Sequence, residues 1–262
     1  SLDFLETNKF DVPQRHRSIK TVFDHSWKLL TENEPELLTK LSVFQGGFTR
    51  EAAQKVTDAS LFLLSSLVDK SLLRYSKSPD RYDLHELVRA YAFARLQDNP
   101  LEEKEVSLKY AIFYTNWLRS LEWEFKSPRQ TQTTQGIRAE TSNWLTAWQW
   151  AVRRQRLDLL RRMIPTLNWY FEVNGYYGEA LSAFKSAVDH FRACGAPASL
   201  KTGEEKSAFA FLIDSFGWFE FRKGNVEAAI PLLQESLDTA REQGDPEVMY
   251  YIHGNWGYLA LF

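Results

Sequence analysis

Cysteine is nearly absent: Cys194 is the single thiol in 262 residues. One thiol excludes an internal disulfide, a CxxC redox pair and a cysteine-based zinc site, and it fits a reducing, cytoplasmic compartment. Long apolar runs are missing as well. None approaches the ~18 residues of a membrane span, and the opening SLDFLETNKF lacks the apolar core of a signal peptide. Neither sign of charge is in excess: 32 Lys and Arg stand against 34 Asp and Glu, for a formal net charge of −2. The balance holds over the first 98 residues taken alone. That argues against a large nucleic-acid footprint.

Chemical signatures are sparse too. No GxxxxGK[ST] or GxGxxG loop is present to cradle phosphates, and no GxSxG elbow presents a serine. His16, His25, His190 and His253 stand at no metal-ligand spacing. Cys194, in ACGAP at a helix end, has no obvious base nearby and reads as a half-buried small residue. Glu32, Glu34 and Glu36 form an acidic first turn that suits the helix dipole. These absences predict a chain that does not catalyse by itself and holds no metal or cofactor of its own. It begins without Met and stops at LALF within an apolar pattern, so it reads as a piece of a longer protein.

What is present is a normal supply of core residues, 44% hydrophobic and 15% aromatic. Residues 1–17 are polar, with Pro13, Arg15 and Arg17, and read as a linker from an upstream module. After Ser18, a candidate N-cap, Ile19, Val22, Phe23, Trp27 and Leu30 recur at helical spacing. Thr31 or Asn33 can cap a second helix with Leu37, Leu38, Leu41 and Phe44 as its apolar stripe, and Gly46-Gly47 are expected to end it. Thr49 is placed to cap REAAQKV, and Asp58 to cap ASLFLLSSLVDKSL. Leu72 to Tyr75 and Arg81 to Leu84 read as strands around the turn Ser78-Pro79-Asp80. A closing helix runs from about His85 to Leu96. The order predicts a winged-helix domain over 18–98. The helix before a wing often reads DNA, but LFLLSSLVDKSL carries only Asp69 and Lys70 as charges, and its apolar residues suit burial better than a groove.

The blocks DVPQRHRSIKTVFDHSWKLL, LSVFQGGFTREAA, SLVDKSLL and YDLHELVRAYA occur in that order. Together, over about residues 10–97, they resemble the winged-helix segment of bacterial STAND-type (NB-ARC-like) signalling ATPases, among them AfsR- or maltose-activator-like transcriptional regulators. In that family a Met-His-Asp motif sets its His against the β-phosphate of bound ADP. The matching tripeptide is Leu84-His85-Glu86. The resemblance therefore implies His85 as an ADP phosphate sensor, acting only with an upstream nucleotide-binding domain that brings ADP or ATP with magnesium. The residues alone leave a second reading, in which His85 merely caps its helix or sits in a polar turn.

Beyond Asn99-Pro100 the strand signals vanish. Val106, Tyr110, Phe113 and Trp117 mark an amphipathic helix. KSPRQTQTTQG reads as a loop, ETSNWLTAWQWAV as a helix, and 156–173 as a helix that Pro165 kinks or breaks. WYFEVNGYYGEALSAFKSAVDHFRACG then recurs as WFEFRKGNVEAAIPLLQESLDTAREQG, with Gly175, Ala180, Phe184 and Gly195 matching Gly224, Ala229, Leu233 and Gly244 at a constant offset of 49. A third copy starts at Trp256-Gly257-Tyr258. The pattern resembles tetratricopeptide repeats of the longer kind. Small residues at Gly217, Gly224 and Ala229 are expected to let paired helices approach, with Leu233 filling the gap between repeats. Residues 101–173 fit the repeat poorly and read as a helical lead-in to repeats over 174–262. Trp148, Trp150, Trp169 and Trp218 are candidate partner-binding anchors, against the simpler alternative that they fill space between helices. Trp148 and Trp150 cannot share one helix face.

The expected fold is mostly α, a winged-helix domain followed by a tetratricopeptide-like α-helical repeat superhelix. The expected function is the regulatory section of a cytoplasmic STAND-type ATPase, with a transcriptional role. Its partners would be its own nucleotide-binding domain and a protein or small-molecule inducer on the repeats, with no membrane and no nucleic acid bound by this segment. The alternatives are a passive repeat scaffold and, more weakly, a DNA-binding winged helix.

Overall fold

The computed structural model describes residues 24, 27–31, 33–77 and 80–259. The expected linker, the Ser18 cap, most of the first helix, His16, His25 and the Ser78-Pro79 pair lie outside the described residues. Among the described residues the chain is mostly α, with twelve α-helices and one two-stranded sheet. It divides into two compact units, one up to Phe113 and one from Tyr114.

In the first unit, α1 (Glu34–Leu41), α2 (Arg50–Thr57) and α3 (Leu61–Asp69) precede the hairpin β1 (Leu73–Lys77) and β2 (Asp80–Leu84), then α4 (Glu86–Gln97); α5 (Pro100–Leu121) begins in the first unit and ends in the second. The strands pair antiparallel from Leu73↔Leu84 to Lys77↔Asp80. Phe48 bridges Tyr82 through two reciprocal 2.8 Å backbone bonds. This third strand position completes a winged helix. The expected stripe is the core: Leu37, Leu38, Leu41 and Phe44 are all buried. Each contributes about 1.5–3 kcal/mol by leaving water.

The helix ends differ in detail from expectation. Thr49 accepts from the Ala52 N–H as expected, but Ser60 rather than Asp58 caps α3, accepting from Leu63. Asp58 instead closes α2 in a left-handed conformation, φ 58°. A short polar side chain tolerates that conformation better than most. Ser42, not Gly46-Gly47, ends α1. A Cβ at Gly47 would stand 3.1 Å from the Tyr82 carbonyl, so Gly47 is there for close approach to the wing. Asn33 takes the N-cap position of α1 without a side-chain cap bond.

Glu34 supplies the missing connection instead. Its side chain is 1% exposed and accepts from Ser66 Oγ and Lys70 Nζ, both at 2.5 Å, and from the Thr31 N–H at 2.7 Å. Burial pushes its carboxyl up. The Lys70 ammonium, the Ser66 hydroxyl and Thr31 outweigh that and hold it at about 2. This first-turn glutamate ties α1 to α3 and does more than complement a helix dipole.

The second unit contains α6 (Gln130–Ala139), α7 (Thr141–Arg153), α8 (Leu157–Asn174), α9 (Tyr177–Ala193), α10 (Gly203–Arg222), α11 (Val226–Gln243) and α12 (Pro246–Leu259). The stretch expected as a loop is helical as α6, because Thr133 and Ile137 lie one turn apart and are both buried; packing overrides weak propensity. α8 runs through Pro165 without breaking, since ten of its residues, Pro165 included, are buried.

The repeat is real in space: α8–α9 and α10–α11 are helical hairpins, and α9 and α11 begin at Tyr177 and Val226, 49 residues apart. Gly175 and Gly224 sit at the turns with φ +67° and +87°, where a side chain is disfavoured. Gly224 therefore turns the chain and provides no close approach. Gly217 does provide one, for a Cβ there would stand 2.9 Å from Leu233 Cγ. α10 is buried continuously from Ser207 to Phe219, as befits a helix packed on all sides. Phe184 and Phe219 stack at 5.7 Å, and Phe171 meets both edge-on.

Candidate functional site

A cleft of about 280 Å³ opens between α8, α10 and α12. α8 contributes Pro165, Asn168, Trp169 and Glu172, α10 contributes Trp218, and α12 contributes Tyr250, Tyr251, Gly254 and Asn255. The spacing explains the convergence. Pro165, Asn168, Trp169 and Glu172 recur at three and four residues, which places them on one helix face. Tyr250, Tyr251, Gly254 and Asn255 do the same on α12.

Two of the four candidate tryptophans meet here. Trp169 is 37% exposed and Trp218 is 9% exposed. Trp218 donates its indole N–H to Glu172 Oε2 at 3.2 Å. Glu172 is also ion-paired with Arg222, whose guanidinium lies 5.5 Å from the Trp218 ring centroid. The Tyr251 ring stacks on Phe211 at 5.0 Å, and its hydroxyl donates to Glu122 Oε1. Burial and that carboxylate raise the Tyr251 phenol far above its ordinary range, so it stays a neutral donor.

The other two candidates are elsewhere. Trp148 is 1% exposed and packs edge-on against Phe184 at 5.5 Å. Such a ring fills space between helices, as in the simpler alternative, and its edge lines a separate groove with Trp144, Tyr170 and Tyr176. Trp150 is half-buried on the opposite side of α7, away from the cleft-lining residues. Cys194 is exposed at the end of α9, not half-buried, and a base does lie near it: His190 Nε2, one helical turn back, is 3.8 Å from its Sγ.

Asp214 of α10, the partner of the cleft-lining Asn255, belongs to no sequence motif. Asp214 is completely buried. Its Oδ2 accepts from Asn255 Nδ2 at 2.7 Å, and its Oδ1 has no partner. Burial pushes its carboxyl up to about 7, against the opposing pull of Asn255. Asn168 shows the same asymmetry: its Nδ2 donates to Ser215 Oγ at 3.0 Å, while its buried Oδ1 is unpartnered. The sequence does carry a signal for Asp214, the lone charge inside SAFAFLIDSFGWF. A buried carboxylate with an unfilled lone pair is costly unless something else repays it.

In the winged-helix unit, His85 is exposed and is the N-cap of α4, its Nδ1 accepting from the Leu87 N–H at 3.3 Å. With Nδ1 an acceptor, the neutral ring carries its proton on Nε2. A proton donor beside the open amides of a helix start fits an anionic phosphate oxygen. The neighbouring Glu86 carboxylate is drawn off to Arg89 at 2.5 Å. The cap bond engages Nδ1 alone.

A family model described as a winged helix-turn-helix domain matches residues 30–97. Curated relatives at 28% identity over 247 residues are provisionally named HTH-type transcriptional regulators, from Mycobacterium bovis and two strains of Mycobacterium tuberculosis. The alignment covers 90% of this chain and 27% of theirs, so the chain spans about a quarter of the length of those relatives. Among solved structures, a STAND protein with a tetratricopeptide repeat sensor from Pyrococcus horikoshii aligns at 16% identity and a TM-score of 0.31, covering 92% of this chain and 50% of the other. Residues 30–97 thus form a winged-helix domain, in a chain similar to proteins named as transcriptional regulators. No helix among the described residues is long and apolar enough to cross a membrane.

Proposed function

We propose that this chain is the regulatory and sensing section of a STAND-type signal-transduction ATPase that controls transcription. In this account the repeat unit takes an inducer or protein partner in the α8–α10–α12 cleft, and the chain catalyses nothing itself. The winged-helix unit holds the ADP-bound off state through His85, the nucleotide and magnesium coming with an upstream domain. A hydrogen bond to a charged acceptor contributes about 1.5–3 kcal/mol, enough to bias a two-state equilibrium about ten- to a hundredfold.

The observation that carries the sensing role is the convergence of Trp169, Trp218, Tyr250 and Tyr251 on one cleft, in a chain that also holds a winged helix. Large aromatic surfaces with a few fixed polar groups are what ligand sites are made of. Base reading by α3 finds little support in its surface. Leu64 and Leu67 are buried, while Phe62 and Leu61 are 79% and 46% exposed, so the apolar residues of this helix go partly to the core and partly to its surface. Lys70 is committed to Glu34. An apolar face of this kind suits another protein surface better than base edges.

The test is Trp169→Ala in the full-length regulator, a change at a partly exposed ring that leaves the core intact. Its target transcripts are compared with wild type across growth conditions that switch the regulator. The condition-dependent range is expected to shrink at least fivefold while protein abundance holds. An unchanged range would overturn the assignment of the cleft as the sensing site.

A further inference from the structure

The composition of the cleft wall restricts what it can take, on the reading that this cleft is the sensing site. Its lining contains four aromatic rings, one carboxylate and two side-chain amides, and no Lys, Arg or His. Phe211, Asp214 and Trp218 are three and four residues apart and share one face of α10. Tyr251 stacks on Phe211 and Asn255 bonds Asp214, so this is the face that α12 covers and on which Trp218 lines the cleft. The two unpartnered side-chain oxygens of this region, Asn168 Oδ1 and Asp214 Oδ1, are both acceptors.

We infer that the cleft binds a small organic ammonium ion, a primary amine in its charged form. Aromatic faces attract a cation through the ring quadrupole, and this protein uses that attraction at the edge of the site, where Arg222 lies over Trp218 and Tyr177. Arg222 already neutralises Glu172. Asp214 has no cation of its own; its one side-chain bond is from a neutral amide. A fully buried carboxylate of this kind gains more from an incoming cation than an exposed one does. Asp214 does not line the cleft itself; it acts from behind the lining residue Asn255, through its charge and not by direct contact. A carboxylate or phosphate ligand would find no Lys, Arg or His among the lining residues, and the Arg222 charge at the edge is already taken by Glu172. The volume, about 280 Å³, lies just under the roughly 300–1,000 Å³ of drug-sized pockets, so the occupant is a small free amine and not a peptide segment.

The experiment is calorimetric titration of the chain, with tryptophan fluorescence as a second readout, using n-pentylammonium, 1-pentanol, pentanoate and a lysine-containing pentapeptide. Pentylammonium is expected to bind at least tenfold tighter than pentanol or pentanoate. Trp169→Ala and Asp214→Asn are each expected to weaken it at least fivefold, with Asp214→Asn leaving pentanol unaffected. Equal binding of pentanol or pentanoate, lost in Trp169→Ala, would overturn the preference for a cation and leave the sensing cleft standing. Tighter binding of the pentapeptide would overturn the choice of a free amine. Absence of binding by every probe would overturn the inference, and the transcript comparison separately decides the sensing role.

Discussion

Asp214→Asn stabilises the repeat unit at alkaline pH and changes little in acid. Asp214 is fully buried, and its carboxyl is raised from 3.8 to about 7. At pH below the unfolded value both states hold the proton and nothing is lost. Between pH 3.8 and 7 the unfolded chain releases its proton while the folded chain keeps it, so rising pH disfavours the fold. Above 7 the loss is complete. One pKa unit corresponds to about 1.4 kcal/mol, so the full effect is on the order of 4 kcal/mol. Asparagine has no proton to keep, and its oxygen can accept the Asn255 bond. Urea unfolding of wild type and variant should nearly coincide at pH 4 and diverge by several kcal/mol at pH 8, the variant being the more stable. Equal stability at pH 8 would show that the carboxylate is compensated there. It would also remove the electrostatic reason for a cation above it.

Glu34→Gln has the opposite sign and the opposite pH window. The Glu34 carboxylate is held at about 2 against an ordinary 4.5, so its stabilisation is fully present above pH 4.5 and is lost as pH falls through 2. Glutamine keeps the shape but leaves the Lys70 ammonium without its counter-charge and weakens the bonds from Ser66 and Thr31. Breaking a buried pair by removing one partner costs about 3–5 kcal/mol. Lys70 is partly exposed, with a side chain 31% accessible, which favours the lower end. The winged-helix unit should therefore lose about 3 kcal/mol at pH 7, read from denaturant melts, with the gap closing below pH 3. A variant as stable as wild type at pH 7 would reduce the α1–α3 tie to a surface contact.

These two groups also mark where the sequence stops being legible. Periodicity finds the stripe Leu37-Leu38-Leu41-Phe44 because local spacing and burial agree there. It finds the 49-residue repeat because glycines with positive φ must recur wherever the hairpin turn recurs. It does not find Glu34 as an anchor, since its partners Ser66 and Lys70 are more than 30 residues away. A first-turn glutamate looks the same whether it faces water or a lysine. The cleft is half legible. Trp169 and Trp218 stand out as large aromatics, while Trp148 stands out equally and is core. Only contact with Phe184 separates them. Asn168, Tyr250 and Asn255 give no local signal at all, because the cleft is made by three helices brought together from distant parts of the chain. The helix over 130–139 fails locally for the same reason: weak propensity there is overruled by burial of Thr133 and Ile137.

Release of ADP from the full-length protein is the measurement closest to the central claim, that this chain restrains and senses for a nucleotide module outside it. His85→Ala should leave the fold in place, since it removes one cap bond at an exposed helix start. Followed with a fluorescent ADP analogue, the variant is expected to release nucleotide about tenfold faster than wild type or more and to raise transcription without inducer. Identical release rates and identical basal transcription would contradict the account.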